Sequence, residues 1–161
     1  MKVRELHSAN MFEDVFGVPE TEPPGHAVLD TGASESVGTP QAIQQLIDRI
    51  TFTTGRPCQY STDTSVSNRV AFRLADGSVK RPYSLVKIET PRFGSIGIFV
   101  LEGMQAPILL SVREMRRRGM LIDFQSGRAL VSGGSDSGQE LIELAVTTNS
   151  RGHLLVDLAS V

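Results

Sequence analysis

His26-Ala27-Val28-Leu29-Asp30-Thr31-Gly32-Ala33-Ser34 sets a short apolar run directly against a carboxylate, a hydroxyl and a glycine. Ala27, Val28 and Leu29 suit the interior of a sheet. An aspartate straight after them belongs outside it, because burying an unpaired charge is strongly unfavourable. The stretch therefore reads as a buried strand that delivers an acid to a tight loop. There Thr31 offers a hydroxyl, and Gly32, lacking a Cβ, admits close approach of a second backbone or a ligand.

Downstream of this loop, Thr39-Pro40 supplies a cap and a first-turn proline, and Ile43, Leu46, Ile47 and Ile50 recur at helical spacing. This predicts an amphipathic helix over residues 40–50. Thr51 to Asn68 is polar and without a clear period, a loop holding one short strand. From Val70 the apolar period changes from 3.6 to 2. Val70, Phe72 and Leu74 alternate with Ala71 and Arg73, and Ala75-Asp76-Gly77-Ser78 precedes Val79. Asp-Gly between alternating runs predicts a hairpin with a type I′ turn, in which both central residues take positive φ.

Further strands are predicted at Ser84–Thr90, Ser95–Leu101 and Pro107–Leu110. Ser111-Val112-Arg113-Glu114 has the pattern of a capping box, with the glutamate reaching back, and predicts a short helix stopped by Gly119. Met120–Phe124 and Ala129–Val131 flank Gln125–Arg128 as another hairpin. Residues 132–138 are rich in glycine and serine and read as a connection. Leu141–Val146 and His153–Leu158 read as two last strands. Many short strands with frequent turns imply a mostly β protein, a barrel or sandwich with two short helices.

Upstream, residues 1–25 form a leader ending in Pro19-Glu20-Thr21-Glu22-Pro23-Pro24-Gly25, an extended linker or an edge strand ahead of the core. A chain of 161 residues suffices for one core but is short for two catalytic lobes. With 40% hydrophobic and 21% charged residues and a net charge of −2, the composition is that of a globular domain. It points to neither a nucleic acid nor a membrane surface. Arg116 to Arg118 form the one basic run; without interleaved aromatics it reads as the solvated face of a helix. The single cysteine, Cys58, excludes an internal disulfide and a multi-thiolate metal site, and suits a reducing compartment. No apolar run approaches a membrane span, and the first residues lack the apolar core of a signal peptide. His7, His26 and His153 show no metal-ligand spacing, and no Gly-x-Ser-x-Gly elbow is present.

Asp30-Thr31-Gly32-Ala33, preceded by Val28-Leu29, resembles the active-site triplet of retropepsin-like aspartic peptidases, the proteases of retroviruses and retrotransposons. The resemblance extends over about residues 26–131 in order and spacing. Val70 to Tyr83, turning at Asp76-Gly77, stands where the family has its flap, so that Leu74, Ala75, Asp76, Gly77 and Ser78 would lie against substrate. Ile108, Leu109 and Leu110 stand where an apolar strand enters the short helix. The chain departs from the family in two places: Ser111 occupies a position usually held by glycine, and the segment between triplet and flap is longer than in compact members.

The resemblance implies a closed retropepsin-like acid-protease barrel with a flap hairpin, a catalytic core over 26–131, and a linker with C-terminal strands over 132–161. It implies an endopeptidase that processes polyproteins in the cytoplasm or within a virus-like particle, using a water and two carboxylates and no cofactor or metal. One carboxylate is ionised to take a proton from water, and the other is protonated to polarise the scissile carbonyl. The chain has one suitable site. Asp136-Ser137-Gly138 follows glycines and a serine instead of an apolar strand, and reads as linker. The second carboxylate must then be Asp30 of another copy, placing the site on the two-fold axis of a homodimer that takes an extended peptide. Thr31 would bond across the dyad, and Gly32 would bind the substrate backbone. Ala33, unlike a hydroxyl residue there, cannot donate to the carboxylate, which implies a mildly acidic pH optimum. The strand at His153–Leu158 would either seal the dimer or close the barrel. The alternative reading is a catalytically inactive module of the same fold that dimerises or binds peptides.

Overall fold

The computed structural model describes residues 2–6, 22–103, 106–132 and 140–161, with the backbone alone at Lys2, Glu5 and Leu6. The reading of Asp136-Ser137-Gly138 as linker lies outside the described residues. In chain order the strands are β1 (Lys2–Leu6), β2 (His26–Asp30), β3 (Val37–Gly38), β4 (Tyr60–Asp63), β5 (Val70–Leu74), β6 (Val79–Lys80), β7 (Ser84–Thr90), β8 (Gly94–Val100), β9 (Ile108–Ser111), β10 (Leu121–Asp123), β11 (Arg128–Ser132), β12 (Leu141–Thr148) and β13 (Leu154–Asp157). The helices are α1 (Pro40–Thr54) and α2 (Val112–Arg117), and Ser65–Asn68 is a 3-10 turn. The protein is mostly β, as its period-two segments require. No helix among the described residues is long and apolar enough to cross a membrane.

The strands form a ten-stranded sheet, ordered β10-β11-β12-β13-β2-β9-β3-β8-β7-β4, and a three-stranded sheet, β1-β5-β6. The large sheet is open, with β10 and β4 as its two edges, which corrects the expected closed barrel. Closure requires the edges to pair. Here α1 supplies the cover that closure would otherwise give: Ile43, Leu46, Ile47 and Ile50 are buried in one cluster with Val86, Ile88, Ile96, Ile98 and Val100 of β7 and β8.

That helix is longer than its apolar spacing indicates. Thr39 Oγ1 accepts from the Ala42 N–H at its start, and the helix continues through Thr51 to Thr54 before Gly55 ends it at φ 66°. Thr51, Thr53 and Thr54 donate their hydroxyls to the carbonyls of Ile47, Arg49 and Ile50, and Thr53 also reaches the Ala159 carbonyl at 2.8 Å. Polar threonines thus make up the last turn, their hydroxyls satisfied by carbonyls along the helix and at Ala159, and apolar periodicity does not reveal them.

The centre of the large sheet is apolar on both faces. Ala27, Ile108, Leu110 and Val156 join the α1 cluster, whereas Val28, Leu109 and Leu155 join a second cluster with Ala33, Val37, Phe72, Leu74 and Leu101. Alternate side chains of β2, β9 and β13 therefore face α1 on one side and the β5–β6 hairpin on the other. This is why these strands read as continuous apolar runs. β13 bonds β12 on one side and β2 on the other, so both of its ladder edges are occupied within one chain.

Candidate active site

β2 runs parallel to β9, and its last residue, Asp30, lies opposite Ser111. β3 pairs with β9 on the far side, so the loop from Thr31 to Ser36 crosses the end of β9 where α2 begins. The two-residue strand period places Asp30 on the face of Val28 and Ser111 on that of Leu109, toward the cluster containing Phe72 and Leu74. The acid thus lies on the sheet face that carries the flap-like hairpin.

Asp30 is 8% exposed. Its Oδ1 accepts the Gly32 N–H at 2.8 Å, and its backbone carbonyl accepts the Ala33 N–H at 3.3 Å. Its Oδ2 is buried without a hydrogen-bond partner among the described residues. A buried, half-satisfied carboxylate is costly to a fold, and such groups concentrate at functional sites. Thr31 and Gly32 are exposed at the loop apex, whereas Ala33 is buried in the apolar cluster and its carbonyl accepts the Val112 N–H at 3.2 Å.

Ser111 joins two elements. Its Oγ accepts the Glu114 N–H at 3.2 Å, capping α2, while its own N–H donates to Ser36 Oγ at 3.0 Å. The capping box is therefore half formed. Glu114 turns its carboxylate toward Arg117 and Arg118 instead of the serine backbone. Arg118 stacks over Phe93 at 4.7 Å and donates to the Ser95 carbonyl at 2.6 Å, so the arginine run is in part a packed anchor and not a purely solvated face. Burial, ahead of the neighbouring charges, lowers the Arg118 pKa.

The hairpin joins β5 and β6 through Ala75–Ser78. The Leu74 carbonyl accepts the Gly77 N–H at 2.9 Å, and the Leu74 N–H donates to the Ser78 carbonyl at 2.8 Å. Only Gly77, at φ 84°, has positive φ, which corrects the expected type I′ turn: this is the three-residue loop whose last position forms a glycine bulge. Asp76 holds the turn by accepting from the Ser78 hydroxyl at 2.6 Å and the Ser78 N–H at 2.8 Å. Leu74 is buried with Ala33 and Leu109, while Ala75 to Ser78 are exposed. Ile108 and Leu110 are buried on the opposite, α1-facing side. The fold therefore brings together Asp30, Ala33, Leu74 and Leu109, and leaves the hairpin tip in solvent.

Two features of the site escaped sequence reasoning. Glu35, its side chain 12% exposed, receives Arg113 of α2 at 2.6 Å and Arg4 of β1 at 3.1 Å on the same oxygen. Ser36 ties the loop to Ser111. Both contacts join residues far apart in sequence, and nothing local marks them. A separate open cleft of about 490 Å³ lies between Thr64, Ser67 and the Lys80–Tyr83 segment; Asp30 is not among its walls. Among the described residues no group of His, Cys, Asp and Glu side chains is placed to hold a metal ion.

In comparisons with known proteins, no family model, no curated protein and no solved structure matches the chain.

Proposed function

We propose that the chain is an aspartic endopeptidase of the retropepsin-like kind, active as a homodimer in which each copy contributes Asp30. The observation that carries this reading is the Asp30 carboxylate, buried at the end of a central strand with one oxygen held by the Gly32 N–H and the other unpartnered among the described residues. A second copy meeting this one across the exposed Thr31–Gly32 apex would set two such carboxylates together. Like charges at that distance favour sharing one proton between them. Because β13 is already bonded on both edges, the copies would meet through these loops and not by inserting that strand.

In the proposed reaction, the ionised Asp30 takes a proton from water while the water oxygen bonds to the scissile carbonyl carbon. The protonated Asp30 gives its proton to the carbonyl oxygen. Collapse of the tetrahedral intermediate passes a proton to the amide nitrogen and breaks the C–N bond, leaving a carboxylic acid and an amine. Ala33 does not donate to the carboxylate, which favours operation at mildly acidic pH.

Cleavage of a peptide library between about pH 3 and 8, blocked by a statine-type inhibitor and absent in Asp30→Asn, is the expected result. Absence of turnover throughout that range, with tight binding of extended peptides, would replace the reading with a non-catalytic peptide-binding module.

A further inference from the structure

We propose that β1 positions the flap hairpin against the Asp30 loop, with Arg4 as the positioning residue that acts through Glu35. The consequence for peptide binding rests on the peptidase reading.

β5 and β6 pair at only two positions, Phe72 with Lys80 and Arg73 with Val79. A two-stranded hairpin of that size is marginal in water, and a third strand is the usual remedy. β1 supplies it. It runs parallel to β5 along its whole length, from Lys2 opposite Val70 to Leu6 opposite Leu74, and makes β5 the centre of the three-stranded sheet. In this register Arg4 lies opposite Phe72, which is fully buried in the cluster containing Ala33.

The second tie is ionic. Arg4 Nη2 meets Glu35 Oε1 at 3.1 Å, and Arg113 Nη1 meets the same oxygen at 2.6 Å. Arg4 and Glu35 are largely withdrawn from water, with side chains 21% and 12% exposed, so their attraction is screened less than that of a surface pair. β1 is therefore bonded to the hairpin by its backbone and to the Asp30 loop by a side chain. On the peptidase reading an extended peptide would have to pass between hairpin and loop, so a strand outside the hairpin would govern how far the two can part. If β1 served only to cover a sheet edge, the Arg4–Glu35 pair would be dispensable.

Hydrogen exchange on the full chain, on Arg4→Met, on Arg4→Lys and on a chain lacking residues 1–6 tests the proposal. Loss of β1 or of the Arg4 charge should speed exchange at residues 70–80 and 31–36 by about tenfold or more, with the α1 amides unchanged. A synthetic peptide of residues 1–7 should restore protection to the shortened chain, and Arg4→Lys should lie between wild type and Arg4→Met. In peptide cleavage, Arg4→Met should raise KM by about tenfold with kcat held within about twofold. Unchanged exchange at residues 70–80 in both Arg4→Met and the shortened chain, or acceleration that includes α1 equally, would overturn the proposal. An inactive wild type would instead overturn the peptidase reading, and the exchange result would still decide the role of β1.

Discussion

Ser36 Oγ accepts the Ser111 backbone N–H at 3.0 Å across 75 residues of sequence, and donates its own proton to Ser111 Oγ at 3.2 Å. Both serines are buried, so the Asp30 loop and the start of α2 behave as one unit. Ser36→Ala would leave the Ser111 N–H buried without its acceptor, at a cost of about 1–3 kcal/mol. Ser111→Gly would remove the side-chain cap of α2 but keep a residue that caps helices well, and should lower stability by only about 0.3 kcal/mol. Denaturant unfolding of both variants measures these losses, and no change in Ser36→Ala would show that the hydroxyl contact is dispensable.

Asp30→Asn removes a buried charge while keeping the side chain's shape. The amide oxygen can still accept the Gly32 N–H, so the thermal midpoint should hold or rise. Peptide cleavage, by contrast, should fall by on the order of a thousandfold or more, because the proton-accepting group is gone. A variant that lost stability and activity together would mark Asp30 as a structural turn residue.

The tip of the β5–β6 hairpin carries its own acid-sensitive latch. Hydrogen bonds from the Ser78 hydroxyl and then the Ser78 N–H lower the Asp76 pKa below its ordinary 3.8. A carboxylate whose pKa is depressed on folding stabilises the folded turn above its unfolded value, and that contribution is lost as pH falls through the lower folded value. The hairpin tip should therefore be fully latched above about pH 4 and loosen below it. A carboxyl titration followed by NMR should give Asp76 a midpoint under 3.8, and Ser78→Ala should move it upward. An unmoved midpoint in Ser78→Ala would count against the latch.

Truncation after Gly152 should unfold the chain. β13 lies between β12 and β2, and Leu155 and Val156 are buried on opposite faces of the sheet. Removing it strips β2, the strand that ends on Asp30, of one neighbour. Loss of the cooperative thermal transition is expected, and a folded, monomeric truncated chain would restore a dimer-sealing role to this strand.

Phe72→Ala should cost about 3–5 kcal/mol, since the ring is fully buried and meets Phe99 edge-on with centroids 5.3 Å apart. Hydrogen exchange should show the hairpin opening before α1 in this variant. Equal protection of hairpin and wild type would mean that the hairpin is held by β1 alone.

The alternation of Val70, Phe72 and Leu74, the helical spacing of Ile43 to Ile50, and the apolar run ending at Asp30 all appear in the structure as elements, because each depends on a local period or a local contrast of polarity. The same local signals mistook the turn at Asp76-Gly77. Asx bonding by Asp76 and a single positive φ at Gly77 satisfy the loop without a second residue in that region.

What the sequence determined by itself was most of the menu: the strand ending at Asp30, the strands from Val70 onward, where the helices begin, and that Asp30 sits where a charge must have a reason, but not the short strand at Val37–Gly38. Only the tertiary structure decided that the large sheet stays open under α1, that β1 joins β5, and that Glu35 receives one arginine from β1 and another from α2. Those outcomes depend on which apolar faces find one another and on contacts across tens of residues. A local sequence pattern records an element's own period but not the identity of the surface that covers it.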